Sequence, residues 1–142
     1  MTVVAYKNGV LAADTLVSDD TLVYGHTIKI KRVRHGWLVG GCGNIATLQQ
    51  FLQKWSAGVA IPAFDTDDDS FSGVALNPRG YFLTYEKEGV IKLDLDIFAI
   101  GSGGQVALGA MHAGATAEEA VKVAIKLIGN CGGNVTTLKL GG

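Results

Sequence analysis

The dipeptide Asn8-Gly9 is the feature that most constrains the fold of this chain. It separates two runs rich in apolar and β-branched residues, 2–7 and 10–18. Asn-Gly between two such runs is the strongest short signal for a hairpin with a two-residue turn, because both residues tolerate a positive φ. The sequence therefore predicts that the chain begins with an antiparallel β-hairpin.

The tight turn also fixes which residues of the hairpin face each other. Counting back from the pair that flanks the turn, Val3 faces Asp14 and Thr2 faces Thr15. Lys29 lies on a strand predicted over 27–33, soon after this hairpin. A hydroxyl, a carboxylate and an ammonium group are thus expected close together near the start of the chain.

The remaining sequence alternates between segments with strand-like and helix-like patterns. Further strands are predicted over 22–24, 27–33, 36–41, 71–77, 80–89, 90–101 and 133–140, with the first two of these paired around Gly25-His26. Helices are predicted over 44–56, 103–114 and 117–128, the last with a capping box formed by Thr116 and Glu119. The order of strands, helix, strands, two helices and strand indicates an α+β layered sandwich and not alternating βαβ units.

Composition argues against several classes of partner and compartment. The formal net charge is −1 and the pI is about 6.3, which gives no electrostatic reason to expect nucleic acid or an anionic membrane. No apolar run approaches the roughly 20 residues that span a bilayer, and no signal peptide is expected at the start. Cys42 and Cys131 form no CxxC pattern, which is typical of reduced thiols in a cytoplasmic protein.

Thr2 could supply both a nucleophile and a base if Met1 is removed. A free α-amine has a pKa of about 7.7–8.0, so it can accept a proton near neutral pH from its own side-chain hydroxyl. A Lys29 ammonium would lower the pKa of that amine, and Asp14 would hold the lysine in place. The same spacing also fits a small residue after the start methionine, an aspartate that ends a strand and a solvated lysine.

Several segments resemble the proteasome β-subunit family, especially the bacterial HslV-type peptidases, within the amino-terminal nucleophile hydrolases. The matching segments are Thr2, AAD at 12–14, TIKI at 27–30, VGGCG at 39–43 and AIGSGG at 99–104. They occur in the family's order and cover nearly the whole chain. The resemblance implies a single domain, 1–142, folded as a four-layer αββα sandwich of two antiparallel sheets flanked by helices.

The resemblance also implies an activity and a set of site residues. It implies a threonine-type endopeptidase that cleaves peptides or unfolded proteins, needs no metal or organic cofactor, forms a homo-oligomeric ring and works with an ATP-dependent unfoldase. The residues it places in the site are Thr2, Asp14, Lys29 and Ser102 as catalytic groups, Gly43 as a backbone oxyanion donor, and Ser18 with Gly43 as substrate-binding residues.

Two departures from the family pattern leave a non-catalytic structural subunit as an alternative. The family has a second long helix after the first, whereas residues 59–70 predict an irregular acidic loop. Cys131-Gly132-Gly133 matches a family tripeptide, but the aspartate expected three residues earlier is Ile128.

A third possibility is a nucleotide-binding module. The segment GCGNIA, which contains Gly41 and Gly43, fits G-x-G-x-x-A at the start of a helix, and Asp65 follows about 20 residues later. Asp65, Asp67 and Asp69 have calcium-loop spacing, but Ser70 and Leu76 occupy the positions that require glycine and glutamate, so no metal site is predicted.

Overall fold

The computed structural model describes residues 2–19, 21–58 and 61–142. The strands are β1 (Val4–Lys7), β2 (Val10–Asp14), β3 (Leu16–Ser18), β4 (Val23–His26), β5 (Ile30–Arg32), β6 (Leu38–Cys42), β7 (Ser72–Leu76), β8 (Phe82–Glu86), β9 (Gly89–Leu93), β10 (Ile97–Ile100) and β11 (Val135–Lys139). The α-helices are α1 (Ile45–Ala57), α2 (Gly104–His112) and α3 (Ala117–Leu127). None of these helices is long and apolar enough to cross a membrane.

The elements form four layers. One large sheet has the strand order β10-β1-β2-β11 and the second β5-β6-β7-β8-β9, and neighbouring strands in both are antiparallel. Strands β3 and β4 form a separate two-stranded sheet. The inner faces of the two large sheets meet in a buried apolar layer that includes Tyr6, Leu11, Leu38 and Phe82. Helices α2 and α3 cover the outer face of the first sheet, and α1 covers that of the second. The predicted αββα sandwich is confirmed.

The opening hairpin has the predicted register. Lys7 pairs with Val10, and Asn8 and Gly9 both adopt positive φ, 52° and 82°. Two successive positive φ values match the turn that suits the right-handed twist of the flanking strands. Asp14, the last residue of β2, consequently lies beside Val3, and its backbone N–H donates to the Val3 carbonyl.

Three strand predictions are wrong in detail. The run 10–18 divides at Thr15 because Gly132 O accepts hydrogen bonds from both Thr15 N and Leu16 N, and β3 then leaves the sheet. Strand β3 pairs with β4, whereas β5 pairs with β6, so the pairing predicted around Gly25-His26 does not form. The run 90–101 likewise divides into β9 and β10, which belong to different sheets.

The five-stranded sheet is covered by one helix and an irregular segment. Helix α1 begins after Asn44, whose side chain accepts from the N–H groups of the first turn. Residues 61–70 contain neither helix nor strand, as predicted from sequence. Phe64 and Phe71 pack against Phe51 of α1 with ring centroids 5.3 and 5.2 Å away. Aromatic side chains from this segment and its end therefore pack beside α1, and no helix forms in the described residues 61–70.

Candidate active site

A fully buried ion pair lies where β2 ends and β5 begins. Lys29 Nζ is 2.9 Å from Asp14 Oδ1, and neither side chain has any exposed surface. Removing two charges from water costs several kcal/mol per ion unless they meet each other and further hydrogen-bond partners. Such a pair requires surroundings that satisfy its remaining lone pairs and protons.

Asp14 has two backbone partners in addition to the lysine. Its Oδ1 accepts from Val3 N at 3.1 Å, and its Oδ2 accepts from Gly132 N at 3.0 Å. One carboxylate oxygen thus contacts both the Lys29 ammonium and the amide that follows Thr2. The carboxylate fixes the lysine, the first strand and the 131–133 turn relative to one another.

Thr2 is held by the segment that precedes α2. Its N–H donates to Ser102 Oγ at 3.2 Å, and its carbonyl accepts from Gly103 N at 3.2 Å. Gly101 adopts a φ of +94°, and a Cβ there would collide with the Thr2 carbonyl oxygen. The segment AIGSGG therefore positions Thr2 through close backbone contact, and the Thr2 nitrogen that would become an α-amine lies against Ser102.

Ser102 leads to a residue that the sequence did not single out. Its Oγ donates to Asn130 Oδ1 at 3.1 Å and lies 3.9 Å from Cys131 Sγ. Ile128, at the position where the family pattern has aspartate, packs against the apolar cluster beneath α2 and α3. In the sequence, the feature that could have drawn attention to Asn130 is its position immediately before the Cys131-Gly132-Gly133 tripeptide.

The predicted site residues fall into two groups. Hydrogen bonds connect the segments that carry Thr2, Asp14, Lys29 and Ser102. Gly43 and Ser18 instead line a cavity. Gly43 has a φ of +113° and lies so close to Ser70 and Phe71 that a Cβ would come within 2.8 Å of their backbone atoms. The cavity beside it has a volume of about 280 Å³. Its lining is Leu16, Val17, Ser18, Asp19, Tyr24, Gly43, Asn44 and Ile45.

Ser18 also lines a second, larger cavity. This one has a volume of about 610 Å³ and extends to Leu127 and Asn130. Ser18 Oγ is buried and has no hydrogen-bond partner in the part of the chain that the structure describes. A buried hydroxyl in this condition is costly, so a partner supplied from outside would satisfy it. Strand β3 thus separates two cavities, one reaching Gly43 and the other Asn130.

The two cysteines are poor nucleophiles. Burial raises the pKa of Cys42 to about 11. Burial and the nearby Asp14 charge raise the pKa of Cys131 as well. Because the thiolate is the reactive form, both thiols stay protonated and unreactive near neutral pH.

The glycines of the possible nucleotide motif have a packing explanation. A Cβ at Gly41 would come within 2.6 Å of Ser72 O on the adjacent strand, and Gly43 is equally close to the segment before β7. The strand that leads into α1 is antiparallel to both neighbours, unlike the parallel strands of a dinucleotide-binding unit. Among the described residues, no group of three or more His, Cys, Asp or Glu side chains is placed to hold a metal.

Comparison with known proteins finds similar structures, but no protein-family model and no curated protein matches the sequence. Thiobacillus denitrificans BPH matches with a TM-score of 0.72 and 21% identity over 98% of this chain and 97% of its own. The chain has the HslV/proteasome fold. HslV from Trypanosoma brucei matches with a TM-score of 0.68 and 19% identity, covering 98% of this chain and 99% of that one.

A second structure of the bacterial protein adds a ligand. BPH from Thiobacillus denitrificans in complex with epoxomicin matches with a TM-score of 0.72 and 20% identity, covering 98% of both chains. The HslV/proteasome fold therefore accounts for nearly the whole length of this chain, despite its loop at 61–70.

Proposed function

We propose that this chain is a threonine-type peptidase whose nucleophile is Thr2 after removal of Met1. The observation that carries the proposal is the shared oxygen of Asp14, which accepts from Lys29 Nζ at 2.9 Å and from Val3 N at 3.1 Å. This oxygen brings a buried cation to the residue next to Thr2. The full-length match to the HslV fold supports the same assignment.

The proposed reaction uses Thr2 as both nucleophile and base. The α-amine takes the proton from Oγ, and Oγ attacks the carbonyl carbon of the scissile peptide bond. The backbone N–H of Gly43 stabilises the resulting oxyanion, which then collapses as the protonated amine gives its proton to the leaving nitrogen. The same amine then takes a proton from a water molecule, which attacks the acyl ester, releases the second product and restores the Thr2 hydroxyl.

The neighbouring groups support each of these steps. The Lys29 ammonium disfavours protonation of a nearby amine and stabilises negative charge that develops on Thr2 Oγ. Asp14 acts through Lys29 by fixing its position. Ser102, already bonded to the Thr2 nitrogen, orients the amine for proton transfer.

We assign substrate binding to the cavities on either side of β3. Ser18 would donate a hydrogen bond to the backbone of an extended peptide or accept one from it. Gly43 would contact the scissile carbonyl. The proposed substrates are peptides or unfolded proteins, because both cavities are open and lined by a mixture of apolar and polar groups. The proposal also includes the assembly. Each subunit is one domain over residues 1–142, the subunits form a homo-oligomeric ring in the cytoplasm, and an ATP-dependent unfoldase supplies the substrate.

A non-catalytic subunit of the same fold is the second candidate. Thr2 is only 1% exposed and its nitrogen and carbonyl are both hydrogen-bonded. If Met1 stays attached, that nitrogen remains an amide and cannot act as a base. The chain would then contribute structure to an assembly without cleaving peptides.

Intact mass and active-site labelling separate the two candidates. We expect the mature protein to lack Met1 and to add one equivalent of epoxomicin, the ligand held by the Thiobacillus denitrificans structure. Thr2→Ala should abolish labelling and hydrolysis of a fluorogenic peptide. Thr137→Ala, at an exposed threonine of β11, is the matched control and should behave as wild type.

Each other result has a definite meaning. Retention of Met1 with no labelling would support the structural subunit. Labelling that survives Thr2→Ala would place the nucleophile elsewhere.

A further inference from the structure

Asn130 ends a chain of hydrogen bonds that starts at the proposed catalytic amine. Thr2 N donates to Ser102 Oγ at 3.2 Å, and Ser102 Oγ donates to Asn130 Oδ1 at 3.1 Å. In this arrangement the serine proton points at the amide oxygen, and a serine lone pair accepts from the Thr2 nitrogen. Loss of the acceptor would let the serine hydroxyl rotate away from this arrangement.

The acceptor at the end of this chain is neutral. Asn130 can accept a hydrogen bond as a carboxylate would, but it contributes no negative charge. Among the described residues, the ionisable groups in contact with the neighbours of the Thr2 nitrogen include Asp14, which binds Val3 N and Lys29, and the protonated thiol of Cys131, 3.9 Å from Ser102 Oγ. The Asp14 carboxylate is already bound to Lys29 and to two backbone N–H groups.

We propose that Asn130 is a positioning residue for the Thr2 amine, which orients Ser102 while leaving the amine free of an added negative charge. The inference rests on the proposed function of Thr2. A carboxylate in the same place would stabilise the ammonium form and raise the pKa of the amine. The neutral amide keeps the amine deprotonated, and therefore able to act as a base, at a lower pH.

The charge of the acceptor can be changed with almost no change in shape. Asn130→Asp places a carboxylate two hydrogen bonds from the amine. Because Asn130 is half-buried and Ser102 is exposed, solvent screens part of this charge, and we expect the acidic limb of kcat/KM against pH to move up by about 0.5 pH units. Asn130→Ala removes the acceptor without adding charge. It should lower kcat about tenfold with little change in KM, and leave the acidic limb near its wild-type position.

Asn134→Asp is the matched control for net charge. Asn134 lies on the same turn, but its side chain is exposed and its backbone N–H is bonded to Thr15 Oγ1. Solvent screens an exposed charge, so this variant should move the acidic limb by only about 0.2 pH units or less. An equal shift in Asn130→Asp and Asn134→Asp would overturn the inference, as would an acidic limb that Asn130→Asp leaves in place.

A second measurement does not depend on peptidase activity. In protein that begins at Thr2 and carries ¹⁵N-threonine, the ¹⁵N shift of the Thr2 amine reports its pKa directly. We expect a higher pKa in Asn130→Asp than in wild type and in Asn134→Asp. Wild-type protein that lacks Met1 but neither hydrolyses peptide nor reacts with epoxomicin would refute the proposed function, whereas equal amine pKa values in all three proteins would refute the role of Asn130.

Discussion

Replacing Lys29 by methionine should destabilise the whole protein as well as the proposed site. The substitution keeps most of the side-chain volume and removes the ammonium group that lies 2.9 Å from Asp14. Because both side chains are fully buried, Asp14 would be left as an uncompensated charge that water cannot reach. The variant therefore tests whether the ion pair is required by the fold.

The size of the effect follows from what remains around the carboxylate. Breaking a buried ion pair by removing one partner costs about 3–5 kcal/mol. Val3 N and Gly132 N would still donate to Asp14, so we expect the low end, about 3 kcal/mol in the free energy of unfolding. A domain with a typical stability of about 5–15 kcal/mol would remain folded, which permits the measurement.

Urea denaturation followed by tryptophan fluorescence and circular dichroism gives the required free energies. Lys31→Met is the matched control, because Lys31 lies two residues further along in β5 with an exposed side chain, and it should cost less than about 1 kcal/mol. In Asp14→Asn/Lys29→Met the amide oxygen still accepts from one of the two backbone N–H groups, and no charge is buried. The double variant should therefore be more stable than the sum of the single losses implies.

One result would refute this reasoning about the buried pair. If Lys29→Met and Lys31→Met destabilise the protein equally, with unchanged denaturant dependence, then water or local rearrangement relieves Asp14 and the pair does not organise the site.

Three further predictions concern other parts of the molecule. Gly101→Ala should destabilise the protein and abolish epoxomicin labelling, because its Cβ collides with the Thr2 carbonyl; unchanged labelling would contradict the described packing. Both thiols should react with a disulfide reagent at pH 8 only after unfolding, since their pKa values are raised. Thr116→Ala should lower the free energy of unfolding by about 1 kcal/mol. That difference should shrink as pH falls below 4.5 through the lowered pKa of Glu119, and a pH-independent difference would contradict the capping box.

Local signals in the sequence predict the elements that local interactions determine. The Asn8-Gly9 turn sets the register of β1 and β2, so the proximity of Val3 to Asp14 could be predicted without the structure. Helix α3 begins at Ala117, directly after the N-cap Thr116, as the capping box predicts. The order of the elements then suffices to predict an α+β layered sandwich.

Long-range contacts explain what the sequence could not predict. Strand β3 leaves its sheet because Gly132 O, more than a hundred residues later, accepts from Thr15 and Leu16. The contact between Ser102 and Asn130 joins residues 28 positions apart across two helices. No periodicity or turn signal encodes such a contact, so Asn130 could be recognised only in the folded chain.

The carboxylate of Asp14 has a consequence for the order of events during synthesis. It contacts Gly132 N, 118 residues further along the chain, so the framework around Thr2 cannot be complete until synthesis has passed Gly132. Contacts of such large sequence separation form slowly, because a long loop must close before they add stability. A growing chain whose first residue could attack peptide bonds would endanger itself and its neighbours. An interrupted product that stops before Asn130 would lack both the acceptor for Ser102 and a backbone donor to Asp14, so the Thr2 site that we propose could not assemble in it.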